Sequence, residues 1–393
     1  MSLVRRVATA GLLCAVPLCA SAQTTTLTVK AANKLDLARP SQTIELMAKD
    51  LAAIGEKDLR KIHVTDAGKE LLCQAVDLDG DTRPDQVIFQ SDFAAKATKT
   101  FKVAAGARQE YKKEDFRAYG RFNRERLDDF FWENDRTAHR MYGKALEVKP
   151  AEGHTDIQVS SAVDVWMKRT PRLVMNEWYM VDNYHTDSGE GADYYSAGDT
   201  RGVGGSGLWA QEKMWLSRNF VQSQVLASGP IRVLFELSYE PINVERMAVS
   251  ETKRISLDAG QNLVRFESRY KPVGTATLTG AIGIRKAGPG GVAVTTKDFD
   301  PAGGWLATWE PVEKKAGNMG AAIVVDPKLV EKLAEDEKNL LVIAKAPDLK
   351  LTYWAGAGWD KSGHFADYAA WKSYVDAFAR GAQSPIEVSV TAP

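Results

Sequence analysis

The chain has 393 residues, 44% hydrophobic and 26% charged, the balance of a soluble globular protein with enough apolar material for a large core. Its 51 basic residues equal its 51 acidic ones, so a nucleic-acid or anionic-membrane partner is not indicated.

Residues 1–22 read as a signal peptide, with Arg5 and Arg6 before an apolar run and Ala20-Ser21-Ala22 as the cleavage site. The run is too short for a membrane-spanning helix. Its removal takes two arginines, for a net charge of −2, and two of the three cysteines. Cys73 alone cannot form an internal disulfide. The expectation is an exported protein, periplasmic or extracellular, without a membrane span in its mature chain and monomeric.

Residues 23–107 read as a small N-terminal β domain. Strands are expected over 26–30 and 36–46, and 86–90 with 98–103 look like the two arms of a hairpin. All ten tryptophans lie between Trp132 and Trp371, and this composition shift places a boundary near 107, with residues 104–107 as a linker. Within this unit Asp77, Asp79, Asp81 and Asp85 occupy positions 1, 3, 5 and 9 of a loop bent at Gly80, a spacing that suits a structural Ca²⁺. Ile88 stands where an EF-hand carries its bidentate glutamate, and an acid-rich polar turn is the plainer reading.

From Arg108 to Arg140 charge and aromatic residues are interleaved. Arg124, Arg126 and Arg136 are candidates for gripping an anionic ligand, with Glu133 among them. A structural ion-pair network would look the same. After Met141 strands follow one another, over 160–168, 222–226, 231–239, 249–257, 262–270, 278–284 and 320–325. Helices are expected over 328–335 and 368–380, and a last strand over 384–390. Many strands joined by short turns predict an all-β fold, a large antiparallel sandwich over 108–393.

Residues 178–207 are dense in both glycine and aromatic side chains, which suits neither a helix nor an ordinary surface loop. We read them as the wall of a cleft. His185 is the candidate base, flanked by Tyr184, with Glu190, Asp193, Tyr194 and Tyr195 following, and His139 is a second candidate. A structural role is the plainer reading for any single histidine, and is the one given to His63, His154 and His364. Residues 202–207 spell G-x-G-x-x-G, but the βαβ context of a dinucleotide site is missing. Those glycines are expected to let another strand or a ligand approach. No histidine pair has zinc spacing. Most tryptophans belong in cores, yet two or three of the ten in a cleft, Trp209 among the candidates, would give flat faces for sugar rings.

The blocks Glu125–Phe130, Trp132–Asp135, Tyr184-His185, Gly189–Gly191, Asp193–Tyr195, Gly229–Leu237 and Trp359–Gly363 together resemble a bacterial family, domain of unknown function 4861, over essentially the whole mature chain. The resemblance implies a secreted protein associated with breakdown of uronate-containing polysaccharides. It also implies a supersandwich similar to galactose mutarotase and the β domains of polysaccharide lyases. It brings no catalytic residues to carry over. From the side chains, β-elimination needs a cation on the uronate carboxylate, a base such as His185 or His139, and an acid such as Tyr184, Tyr194 or Tyr195. The substrate would be a polysaccharide or oligosaccharide, with no cofactor required. Hydrolysis by two carboxylates drawn from Asp128, Asp129, Glu133, Glu190 and Asp193 is the alternative, as are epimerisation by His185 with Glu190 and a non-catalytic carbohydrate-binding protein.

Overall fold

The computed structural model describes residues 25–148, 159–181, 183–274 and 277–392. The expected signal peptide and His154 lie outside them. Among these described residues the chain is all-β, built from antiparallel sheets with two α-helices, Met175–Val181 and Tyr368–Gln383. No helix among the described residues is long and apolar enough to cross a membrane.

An eight-stranded sheet runs in the order Gln222–Ser228, Arg232–Val244, Met247–Asp258, Leu263–Pro272, Lys350–Trp359, Asn318–Val325, Trp305–Pro311, Thr296–Asp300. Successive strand side chains point to opposite faces, and here both faces are apolar. Leu306, Ala321, Ile323, Phe235 and Phe266 face the main core, while Trp305, Ala307, Ala322 and Val324 face the long helix. Two five-stranded sheets cover the first face. One holds Val203–Ala210, Leu278–Arg285 and Asn339–Ala346, and the other holds Ala118–Asn123, Asp129–Asn134, Thr137–Met141, Asp164–Lys168 and Gly191–Ala192. Phe130 stacks on Phe235 at 4.1 Å between ring centroids, locking the second of these onto the large sheet.

The long helix begins at Asp367, whose carboxylate accepts the Ala370 N–H. Trp371, Val375 and Ala379, four residues apart, form its buried stripe. Gly320 makes room for Trp371, since a Cβ there would sit 2.2 Å from the indole.

Residues 27–103 contribute a separate core, with Leu27, Val29, Phe89 and Phe101 at its centre. Two sheets enclose it, and the strands of the expected hairpin fall in different ones. Gln86–Phe93 pairs with Arg39–Met47, whereas Thr98–Ala105 pairs with Leu27–Ala32. Ala104 and Ala105, expected in a linker, end that last strand opposite His63 and Ile62. The final strand Glu387–Thr391 returns to this unit beside Leu27–Ala32. The helix expected over 328–335 is instead the strand Val330–Glu335, paired with Asn339–Ala346 across a tight turn. The G-x-G-x-x-G stretch is also strand. A Cβ on Gly204 would lie 2.3 Å from that of Ala355, so the glycine admits the neighbouring sheet.

Candidate active site

The five-stranded sheet carrying Asp129–Asn134 has one face on the main core. Its other face is covered by the helix Met175–Val181 and the loop that follows. Alternation sends Phe131, Ala138 and Trp166 to this outer face, beneath Trp178, Tyr179 and Tyr184. Glu133 points the same way. It takes Lys168 Nζ at 2.6 Å and the backbone N–H groups of Val174 and Met175 at 3.0 and 2.8 Å, which anchors the start of the short helix. Glu133 is therefore a buried structural residue and not, as expected, a substrate contact.

The loop beyond the helix is tied down at several points. Asp193 N–H donates to Tyr184 O at 2.7 Å, Arg169 N–H to Glu190 O at 2.9 Å, and Lys314 Nζ to His185 O at 2.5 Å. Gly191, opposite Lys168, has φ of +117°, and a Cβ there would meet Met167 O at 2.0 Å. Only glycine passes this point.

Under the loop Arg140 gathers three buried aspartates. Its Nε and Nη2 donate to Asp164 Oδ2 at 3.0 and 2.6 Å, while Asp129 and Asp193 each lie 3.8 Å from the guanidinium. Trp166 Nε1 adds a bond to Asp164 at 3.2 Å. One cation cannot neutralise three carboxylates removed from water. Burial pushes Asp129 up to about 7, and burial together with the Asp164 charge raises Asp193 well above the usual carboxylate range.

His185 sits at the mouth of this cluster, its side chain 52% exposed, with its ring centroid 4.5 Å from that of Tyr184. Nδ1 lies 3.4 Å from Asp193 O and 3.6 Å from Asp193 Oδ2. A carbonyl can only accept, so it favours the tautomer with the proton on Nδ1 and leaves Nε2 with its lone pair. Burial lowers the histidine pKa, against the Asp193 carbonyl, and the charges of Arg140 and Lys314 lower it further. These influences favour the neutral imidazole. Beside it Tyr184 stacks on Trp166 at 4.6 Å, with the Arg126 guanidinium 4.9 Å above the tyrosine ring. Charged block and glycine-rich block thus meet at Arg126, Arg140, Tyr184, His185 and Asp193.

The other sequence candidates are placed elsewhere. His139 precedes Arg140 on the strand and so faces the main core, stacked on Trp132 at 5.3 Å and fully buried. Burial takes its pKa down to about 3. It is an interior residue, and the expectation of a second base at 139 is corrected. Tyr195 is buried beneath Arg285, whose Cζ lies 3.7 Å from the ring, and its hydroxyl has no protein partner among the described residues. Tyr194 packs against Trp359 at 5.9 Å, and Arg169 covers that indole at 4.8 Å. Glu190 pairs with Arg172 at 2.6 Å, and Arg124 is exposed in the turn Arg124–Arg126. Arg136 lies at the opposite end of the hairpin from Arg140. Trp209 belongs to another sheet, packed with Ala281, Leu341 and Ile343 away from this cluster, which corrects its expected place in the cleft.

Sequence reasoning overlooked Arg140, Asp164, Arg169 and Lys314. Asp164 offered one signal, as a lone acid within the otherwise apolar stretch Ala162–Met167. At the N-terminal loop, ligand oxygens of Asp77, Asp79 and Asp85 lie within 4.8 Å of one another, and Asp81 is not part of the group. Asp77 already accepts N–H groups from Asp79, Gly80 and Thr82.

Two solved structures similar to this chain are both from Enterococcus faecalis. A glycosyl hydrolase family 38 protein aligns over 94% of this chain and 48% of its own, with a TM-score of 0.50 and 10% identity. An α-mannosidase aligns over 93% and 46%, with a TM-score of 0.48 and 11% identity. The chain thus spans under half of either, and the first likeness speaks to fold alone. By sequence it is 32% identical over 381 residues to uncharacterized protein P7 of Formosa agariphila, covering 93% of both chains. The model of the family described as domain of unknown function (DUF4861) matches residues 31–388, and this chain belongs to that family.

Proposed function

We propose that this chain is an exported, monomeric carbohydrate-active enzyme, a carbon–oxygen lyase on uronate-containing glycans. The observation that carries the proposal is His185, a half-exposed imidazole whose Nδ1 faces the Asp193 carbonyl, leaving Nε2 its lone pair, with Lys314 on its own carbonyl and Arg126 over the neighbouring Tyr184 ring. Cations around a neutral base suit a substrate whose carboxylate must be neutralised before the adjacent proton can leave. In the elimination, Nε2 takes the C5 proton and the C5–H electrons form the C4=C5 bond. The C4–O4 bond breaks, and Tyr184 gives its hydroxyl proton to O4. Arg126 holds the carboxylate. The fold shared with a protein described as a glycosyl hydrolase supports a saccharide substrate.

A panel of polyuronates tests this reading. Absorbance from a 4,5-unsaturated uronate is expected to grow with chain cleavage. Reducing ends without that absorbance would mean hydrolysis, the second reading, which Asp193 favours because a carboxyl whose pKa burial raises suits a general acid. Binding with neither signal would mean a carbohydrate-binding protein.

No cofactor enters this chemistry. A Ca²⁺ held by Asp77, Asp79 and Asp85 would be structural, relieving repulsion among convergent carboxylates. Thermal unfolding with and without chelator is expected to show a lower midpoint without calcium, and Asp77→Asn should erase the difference. Equal midpoints for the parent chain would make the loop a polar turn.

A further inference from the structure

A cavity of about 360 Å³ opens where the N-terminal unit, the turn after Met247–Asp258 and the long C-terminal helix meet. That volume lies in the range of small-ligand pockets, roughly 300–1,000 Å³. It is separate from the His185 cluster. Trp354, in its wall, points to the helix side of the eight-stranded sheet, whereas Trp359, five residues along the same strand, belongs to the main core.

Its lining is cationic and aromatic. Four arginines contribute, and two of them are already neutralised, Arg232 by Asp258 and Glu45, and Arg265 by Glu267. Arg39 and Arg136 form no ion pair among the described residues. Arg39 is 7% exposed and donates only to the carbonyls of Ser384 and Gly381, at 2.7 and 3.2 Å. Arg136 donates to the Asn262 side-chain oxygen at 3.3 Å. Burying a guanidinium without a counter-charge is costly, and an anion entering the cavity would lower that cost. Burial already presses the Arg39 pKa below its ordinary value. Trp354, Tyr374 and Phe378 supply half-buried rings on one side of the cavity, and Trp354 and Phe378 meet edge-on at 6.1 Å. Flat apolar faces beside unpaired guanidinium groups match a ligand with an apolar ring face and an anionic substituent.

We propose that this cavity is a second saccharide-binding site, which takes an anionic sugar residue through Arg39 and Arg136 while its ring packs on Trp354. The saccharide class rests on the function proposed above, while the preference for a negative charge rests on the cavity itself. Calorimetric titration of the full chain with an oligogalacturonate, a sulfated oligosaccharide and an uncharged oligosaccharide of equal length tests it. The charged ligands are expected to bind, a carboxylate or a sulfate preference naming the anion. Arg136→Ala, which gives up one long hydrogen bond, and Trp354→Ala should each weaken this binding at least tenfold. His185→Ala should leave it in place. Equal binding of the uncharged ligand, or unchanged affinity in both cavity variants with folding verified by circular dichroism, overturns the proposal. The two readings fail separately. Product formation with unaltered binding in both cavity variants removes the second site alone, whereas charge-selective binding lost in those variants, without product from any polyuronate, removes the lyase alone.

Discussion

His185→Ala is expected to lower turnover of a uronate substrate on the order of 10²–10⁴-fold, with substrate binding changed only a few-fold. Removal of a base that acts on the C5 proton raises the barrier to the chemical step, and the cations that hold the carboxylate remain. The pH profile of the parent chain supplies an independent check. A base must be unprotonated, so activity falls as pH drops through the histidine pKa. That pKa is lowered from 6.5 by burial first and by Arg140 and Lys314 as well, against the Asp193 carbonyl. The acid limb should therefore have its midpoint below pH 6.5. A midpoint well above 7, or a His185→Ala variant that still turns over, would remove the histidine from the mechanism.

How far the sequence foretells this site depends on the range of the forces involved. Alternation is local, and it predicts five strands of the eight-stranded sheet to within a few residues, but Thr296–Asp300, Trp305–Pro311 and Lys350–Trp359 are missed. The helix from Tyr368 is equally legible, though it runs through Gly381 to Gln383 and past its expected end at 380. The helix Met175–Val181 is too short to stand on its own propensity. It begins where Glu133, some forty residues earlier, accepts two of its N–H groups, and a sequence window does not reach that far. Over 330–335 the helix formers Glu331, Lys332, Leu333 and Ala334 are overruled by pairing with Asn339–Ala346. The choice between His139 and Arg140 turned on the phase of one strand. A shift of one residue sends a side chain to the opposite face, and the chemically conspicuous histidine is the one turned inward. Of the same hairpin, Arg136 ends in the cavity beside the long helix, a separation that the charged block does not reveal.

Arg140→Met should destabilise the fold by about 3–5 kcal/mol, because it leaves Asp164 buried beside Asp129 and Asp193 without a countercharge. Chemical denaturation measures the loss. The companion Arg140→Met/Asp164→Asn is expected to recover part of it, since removing both charges strands neither. A fully additive double variant would mean that Arg140 acts through packing on Tyr142 and Trp166, its ring contacts at 5.3 Å, and not through charge. The same cluster sets a pH dependence. Asp129 has a folded pKa of about 7 against an ordinary 3.8, so the folded state holds a proton that the unfolded state releases. Its contribution is complete below pH 4 and is lost as pH rises through 7, up to about 4 kcal/mol from a three-unit shift. Carboxylates such as Glu147 and Glu267, held low by their arginine partners despite burial, work in the opposite sense. The informative quantity is therefore the difference between the parent chain and Asp129→Asn. Asparagine cannot ionise, so the variant should gain stability relative to the parent between pH 5 and 8. A difference that is flat over that interval would place the Asp129 pKa near its ordinary value and leave the cluster without the strain that burial imposes. The carboxylate cluster beneath His185 would then be neutralised more completely than one guanidinium and burial allow.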